Sequence, residues 1–210
     1  MILYSRLTEL PDGEPVSLEE AKVHLELADD SKDDFIEALI KTARRMCEGY
    51  AGLSFITQER EVSMDYFPCN TPQNPYAEIN VPYGPIQQIE VTYVDTNGDE
   101  QTLVDGTGFK LLAGGVPRIV PLNESGDIGS WPSTKNVPGC ITVSYTTGFD
   151  DVSGEALPPE AKTAILLQVG SLFENRQDEV IGSTGSVAAE INMNSKAILD
   201  NIKVYWNANY

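Results

Sequence analysis

His24 is the only histidine among 210 residues, and it stands beside Leu25 on a short amphipathic stretch. A catalytic histidine needs a serine or cysteine whose proton it takes, or a carboxylate that holds its ring. No Gly-x-Ser-x-Gly elbow is present and no such partner lies near His24 in sequence, so a structural or surface histidine is expected. The spacing Asp95-x-Asn97-x-Asp99 offers alternating hard oxygens for calcium. A calcium loop of that type also requires glycine at its sixth position and glutamate at its twelfth, where this chain has Glu100 and Gly106. A plain hairpin turn is the better reading. Asp29, Asp30, Asp33 and Asp34 could likewise hold a divalent ion, but a solvated loop that doubles as a helix cap explains them more simply. Gly182-Ser183-Thr184-Gly185-Ser186 lacks the Gly-Lys-Ser/Thr of a phosphate loop and reads as a linker. Acids are abundant, yet no pair is singled out for hydrolase work. No catalytic residue, metal or cofactor is expected.

Cys47, Cys69 and Cys140 are odd in number, far apart and free of any Cys-x-x-Cys, which excludes a disulfide scaffold or a zinc ribbon. Buried, reduced thiols in a protein made in the cytoplasm are expected. No basic segment leads into an apolar core at the N-terminus, so a secretory signal is not expected. No apolar run approaches the roughly 18 residues of a membrane span.

Lys and Arg total 14 against 32 Asp and Glu, a net charge of −18. Residues 1–55, 56–147 and 148–210 contribute −6, −7 and −5, so the excess belongs to the whole body and not to a tail. Such a chain is a poor match for phosphate backbones or anionic membranes, whose affinity comes from Lys and Arg displacing counterions.

These features must be carried by two kinds of element. Ser17-Leu18-Glu19-Glu20 fits a capping box, and Leu18, Ala21 and Leu25 continue it as an amphipathic helix to about Leu27. Asp33 or Asp34 is expected to cap a second helix, whose stripe is Ile36, Leu39, Ile40, Ala43, Cys47 and Tyr50, with Gly52 as its stop. The period then changes to two: Val62, Met64 and Tyr66, then Ile89, Val91 and Tyr93, then Ile141, Val143 and Tyr145. Asn97-Gly98 predicts a hairpin, and Phe109–Leu112 with Arg118–Val120 a second strand pair. Helix resumes at Pro158-Pro159, burying Ala161, Ala164, Ile165, Gln168, Val169, Leu172 and Phe173, and Ser195 is expected to cap a last helix. The expected fold is α+β: a small helical body of about four helices with an all-β insertion between the second and third. The divisions are 1–54 (arm and helices), 55–147 (β insertion) and 148–210 (helices, linker and tail).

The C-terminal helix and tail, with Ile198, Leu199, Ile202, Val204, Tyr205, Trp206 and Tyr210, are the best lead for an interface, since Trp and Tyr anchor interfaces well. The alternative is that this helix folds back onto the chain's own core.

Several segments in order carry a resemblance: Glu14-Pro15-Val16-Ser17-Leu18-Glu19-Glu20-Ala21, Asp33-Asp34-Phe35-Ile36, Leu53-Ser54-Phe55-Ile56-Thr57-Gln58, Met64-Asp65-Tyr66-Phe67-Pro68, Thr147-Gly148-Phe149-Asp150 and Phe173-Glu174-Asn175-Arg176. The ordered set resembles the head–tail connector (adaptor) proteins of tailed bacteriophages, in the longer branch with a β-rich insertion. The resemblance implies a structural virion protein and no enzyme. It would form a dodecameric homo-oligomeric ring under the portal protein at the head–tail junction, extend the DNA channel and dock a tail or head-completion protein. The portal-binding element it implies is Ile198, Leu199, Ile202, Val204, Tyr205, Trp206 and Tyr210. DNA would pass without specific binding, past acids that repel phosphate. A tail or baseplate binding module, recognising its partner through the β insertion, is the competing reading.

Overall fold

In the computed structural model, residues 4–9, 11–149, 156–175 and 191–204 are described. The chain divides into two compact units, one of strands (residues 4–9, 11 and 57–149) and one of helices (12–56, 156–175 and 191–204).

The helical unit begins with α1 (Leu18–His24). Its capping box is formed as the sequence predicts: Glu20 N–H donates to Ser17 Oγ at 3.1 Å, and Ser17 N–H to Glu20 Oε2 at 2.8 Å. The next helix, α2 (Asp33–Ala51), is preceded by Lys32, with no side-chain cap. Asp33 and Asp34 therefore do not cap it; they occupy the first turn, where their charge suits the positive end of the helix dipole. Ile36, Ile40, Ala43 and Cys47 are buried as the stripe predicts, while Leu39 and Tyr50 at its margins are half-buried. Gly52 ends the helix at φ +69, a left-handed conformation that disfavours any Cβ. The third helix, α3 (Pro159–Glu174), starts on proline and buries Ala161, Ala164, Ile165, Gln168 and Val169. The last, α4 (Met193–Leu199), packs against α3 and α2. Its cap is Asn192, not Ser195: Ser195 N–H donates to Asn192 Oδ1 at 2.8 Å. Ser195 lies too far into the turn to cap, and its hydroxyl donates to Ala164 O of α3. The linker Gly182–Ser186 lies outside the described residues.

Among the described residues the β unit holds eight strands: β1 (Tyr4–Glu9), β2 (Gln58–Met64), β3 (Ile79–Asn80), β4 (Ile86–Val94), β5 (Glu100–Leu103), β6 (Phe109–Leu112), β7 (Arg118–Pro121) and β8 (Ile141–Thr147). All pairings between them are antiparallel, in a five-stranded sheet ordered β1-β2-β8-β4-β5 and a three-stranded sheet ordered β3-β7-β6. The N-terminal residues, grouped by the sequence reading with the helices, instead run along β2 as β1 and cluster with the strands. An edge strand that is paired on one side needs no strong pattern of its own, which is why β1 left little trace. Val62, Val143 and Val91 stand side by side across β2, β8 and β4, in the row that carries the β core. Cross-strand alignment of β-branched side chains is the unit of sheet stabilisation. The result is α+β, with strands inserted between α2 and α3. No described helix is long and apolar enough to cross a membrane.

Candidate functional site

The acid loop between α1 and α2 is held by one cation. Lys22 Nζ donates to Asp30 Oδ1 at 2.6 Å and to Asp33 Oδ1 at 2.8 Å, and the two carboxylates hold its pKa well above the usual lysine value. Asp29 accepts from the amide and hydroxyl of Ser31, and these bonds lower its pKa. Three of the four acids thus organise the loop itself. Asp95 is similar: its Oδ1 accepts from the amides of Asn97, Gly98 and Asp99 at 2.9–3.0 Å, closing the β4–β5 hairpin. His24 is exposed in the last turn of α1, and its ring lies near Gly170 of α3. Cys47 and Cys140 are buried, but Cys69 is exposed, unlike the three buried thiols expected, because it sits in the turn-rich segment after β2.

Leu199 of α4 is fully buried, as a core residue of the helical unit. Ile198, Ile202 and Val204 are half-buried. Polar bonds hold this segment down. Asn192 N–H and Nδ2 donate to Gln168 Oε1, both at 2.9 Å, and Tyr50 Oη donates to Asp200 Oδ1 at 2.7 Å. Val204 N–H donates to Ala51 O at 2.9 Å, and Lys203 stacks over the Tyr50 ring. The returning chain passes so close to Gly52 that a Cβ there would lie 3.0 Å from Val204 O. The described part of α4 therefore folds onto its own unit. Tyr205, Trp206 and Tyr210 lie outside the described residues.

Each unit carries an open concave surface lined in part by aromatic side chains. On the helical unit a groove of about 630 Å³ runs between the first turns of α2 and the end of α3, with Phe35, Leu39 and Leu172 against Asp30, Asp33 and Asp34. Phe35 is 39% exposed and tilts against Phe173, over which Lys32 lies. On the β unit a cleft of about 650 Å³ is bounded by Tyr66, Phe67 and Trp131. Phe67 stacks on Trp131 at 4.7 Å, and the indole N–H donates to Ala77 O at 2.6 Å, so the shelf is rigid. Tyr66 and Tyr76 stand exposed in the same segment. Aromatics of this kind suit protein recognition better than acid–base chemistry.

One constellation went unread in the sequence. Arg44 and Glu48, buried on α2, link Glu14 to the amide of Phe55. Both are at helical spacing from Ile40, inside the apolar stripe, and that placement of opposite charges was the available signal.

Residues 15–90 match the family model for the phage gp6-like head-tail connector protein. The match covers 76 of the 210 residues. Over nearly its whole length the chain shares its fold with solved structures. A chain from the neck of an empty GTA particle computed with C6 symmetry superposes with a TM-score of 0.71 at 18% identity, covering 97% of each chain. One from the virion of a native gene transfer agent particle gives 0.69 at 17%, covering 97% of this chain and 96% of that one. One from the neck of a native GTA particle computed with C12 symmetry gives 0.64 at 19%, covering 99% and 97%. At these identities the likeness establishes a shared fold. No curated protein sequence matches the chain.

Proposed function

We propose that this chain is a structural, non-enzymatic head–tail connector of a phage-like particle. In this reading it is made in the host cytoplasm and incorporated at the head–tail junction. Copies form a dodecameric ring under the portal protein, extend the DNA channel, and give a tail or head-completion protein its docking surface. The observation that carries the reading is the connector match over residues 15–90, in a chain whose whole fold follows neck proteins. The helical segments around 1–54 and 148–210 would form the ring body, and the strands of 55–147 a projecting insertion.

The half-buried Ile198, Ile202 and Val204, with the tail residues Tyr205, Trp206 and Tyr210, would form the portal contact. Leu199 would serve it indirectly, by holding α4 in place. Part of the charge of −18 would face the bore, where repetition around the ring makes a wall that repels phosphate. DNA would then slide without specific binding. A second reading, a tail or baseplate module, draws on the rigid aromatic cleft of the β unit.

Mass measurement of the full chain with and without its portal protein tests the proposal. A ring, either alone or on the portal, is the expected result. A monomer that persists with portal present would defeat it.

A further inference from the structure

One row of the five-stranded sheet carries a charge among uncharged side chains. Leu7 of β1, Arg60 of β2, Tyr145 of β8 and Ile89 of β4 stand opposite one another in register, on the same face as the Val62–Val143–Val91 row. Arg60 is half-buried there, while the two-residue period of the strand carries its neighbours Glu59 and Glu61 to the opposite face. Arg6, Arg44 and Arg118 each meet a glutamate, at 2.6–3.6 Å. Arg60 makes no ion pair among the described residues.

The contacts Arg60 does make leave most of its donors unused. Its guanidinium carbon lies over the Tyr83 ring, 3.7 Å from the centre, and such a stack engages the flat face while the N–H groups point along the plane. Nε is buried without a hydrogen-bond partner, and Nη1 reaches Ser5 Oγ only at 3.5 Å, the far limit of a hydrogen bond. Beside it the Ser5 and Tyr145 hydroxyls share one hydrogen bond of 2.9 Å. Two hydroxyls carry two protons and that bond uses one, so the other remains to be donated. Burial pushes the Tyr145 phenol up to about 12, which keeps it protonated at neutral pH. Tyr83 itself is held at φ +63, a left-handed conformation unfavourable to a bulky residue, and its carbonyl accepts from the Thr147 hydroxyl. Backbone in that conformation persists only where its surroundings over-determine it, so the ring under Arg60 is a fixed platform.

We propose that Arg60, with the Ser5–Tyr145 hydroxyl pair, binds a single carboxylate: the acidic side chain of a peptide that docks where β2 begins. A guanidinium matches a planar carboxylate with two parallel N–H bonds, as Arg44 Nε and Nη2 do for Glu14 at 2.6 and 3.3 Å. Because Nε of Arg60 is covered, its Nη groups take the carboxylate, with the remaining hydroxyl proton as a further donor. One fixed cation balances one carboxylate. No second cation stands in the row to meet a phosphate dianion or a nucleic-acid backbone. The site lies within the β unit and goes beyond the connector reading, on which it does not depend.

The test is titration calorimetry of the full chain, at constant ionic strength, with an acetylated and amidated peptide of one glutamate between two glycines. Heat of binding is expected with this peptide and none with its glutamine counterpart. Arg60→Gln should weaken binding about tenfold or more, and Arg60→Lys, which keeps the charge and loses the planar fork, should fall between. The melting temperature of each variant serves as the folding control. Phenylglyoxal labelling of the wild-type chain, read by peptide mass spectrometry, needs no variant. The glutamate peptide should slow labelling at Arg60 relative to the exposed Arg45, and the glutamine peptide should not. Undiminished binding by folded Arg60→Gln, or labelling at Arg60 that the glutamate peptide leaves unchanged, would overturn the site. Protection by acetate without protection by the peptide would replace the docked side chain with a free small carboxylate. Inorganic phosphate that protects as well as the peptide would overturn the carboxylate assignment. None of these results bears on ring formation, which the portal experiment decides separately.

Discussion

Arg44 and Glu48 face one another a single turn apart on α2, guanidinium to carboxylate at 2.8 Å, with side chains only 4% and 3% exposed. Arg44 Nε also donates to Glu14 Oε2 at 2.6 Å, and Glu48 Oε1 accepts the amide of Phe55 at 2.8 Å. One buried network thus ties the segment before α1, the middle of α2 and the chain leaving α2. The two carboxylates hold the pKa of Arg44 up against its burial, which acts to lower it.

Removing one partner of a buried pair leaves the other charged and unsatisfied. Arg44→Met should therefore destabilise the helical unit by about 3–5 kcal/mol. Urea denaturation followed by far-ultraviolet circular dichroism measures it; an unchanged midpoint would show that the network carries no stability.

Leu199→Ala should cost about 2–5 kcal/mol, because the side chain is fully buried. Truncation after Asn194 removes Leu199 and the Ser195 bond to Ala164 as well, and should lower the melting temperature. Deletion of residues 205–210 alone should leave melting unchanged and abolish portal association. Retained association after that deletion would remove the aromatic tail from the portal contact.

Gly52→Ala places a Cβ at φ +69 and within 3.0 Å of a backbone carbonyl, that of Val204. A loss of about 1–3 kcal/mol is expected in thermal denaturation. Asn, which tolerates this φ better than alanine does, should recover only part of it, since the close approach remains.

Of the three thiols, Cys69 alone is exposed, and burial pushes the Cys47 thiol up from 9.0 to about 12. A disulfide-exchange reagent at pH 8 should titrate one thiol in the native chain and three after denaturation. Cys47 resists ionisation only when folded. Its contribution to stability is therefore complete below pH 9.0 and lost as pH rises towards 12. Cys47→Ala should flatten that part of the stability–pH curve.

Hydrogen bonds from the turn amides hold the Asp95 carboxyl below its ordinary value of 3.8. A depressed carboxylate stabilises the fold above its unfolded pKa and stops doing so as pH falls through the folded one. Amide exchange at Asn97, Gly98 and Asp99 should accelerate as the pH drops below about 3.8, and Asp95→Ala should abolish that dependence while speeding exchange throughout.

The alternation in β4 and β8, the α2 stripe, the Ser17–Glu20 box and the Asn97-Gly98 hairpin were all legible in the sequence. Each depends on residues close together in the chain, whose spacing maps directly onto one helical face or one side of a strand. The sequence alone therefore determined the α+β class, the order of the helices and main strands, and the connector resemblance. Tertiary structure decided the rest. Arg44 and Glu48 look like ordinary surface charges until Glu14, thirty positions away from Arg44, and Phe55 arrive to satisfy them. Residues 4–9 become a strand only because β2 offers them its free edge. Ser195 resembles a cap by composition, yet Asn192 takes that place once Gln168 and Ala164 of α3 fix the start of α4. Leu199, read with its neighbours as part of an interface, is drawn into the core by the same docking. In each case the deciding free energy comes from desolvation and from partners distant in sequence, and no local pattern records either.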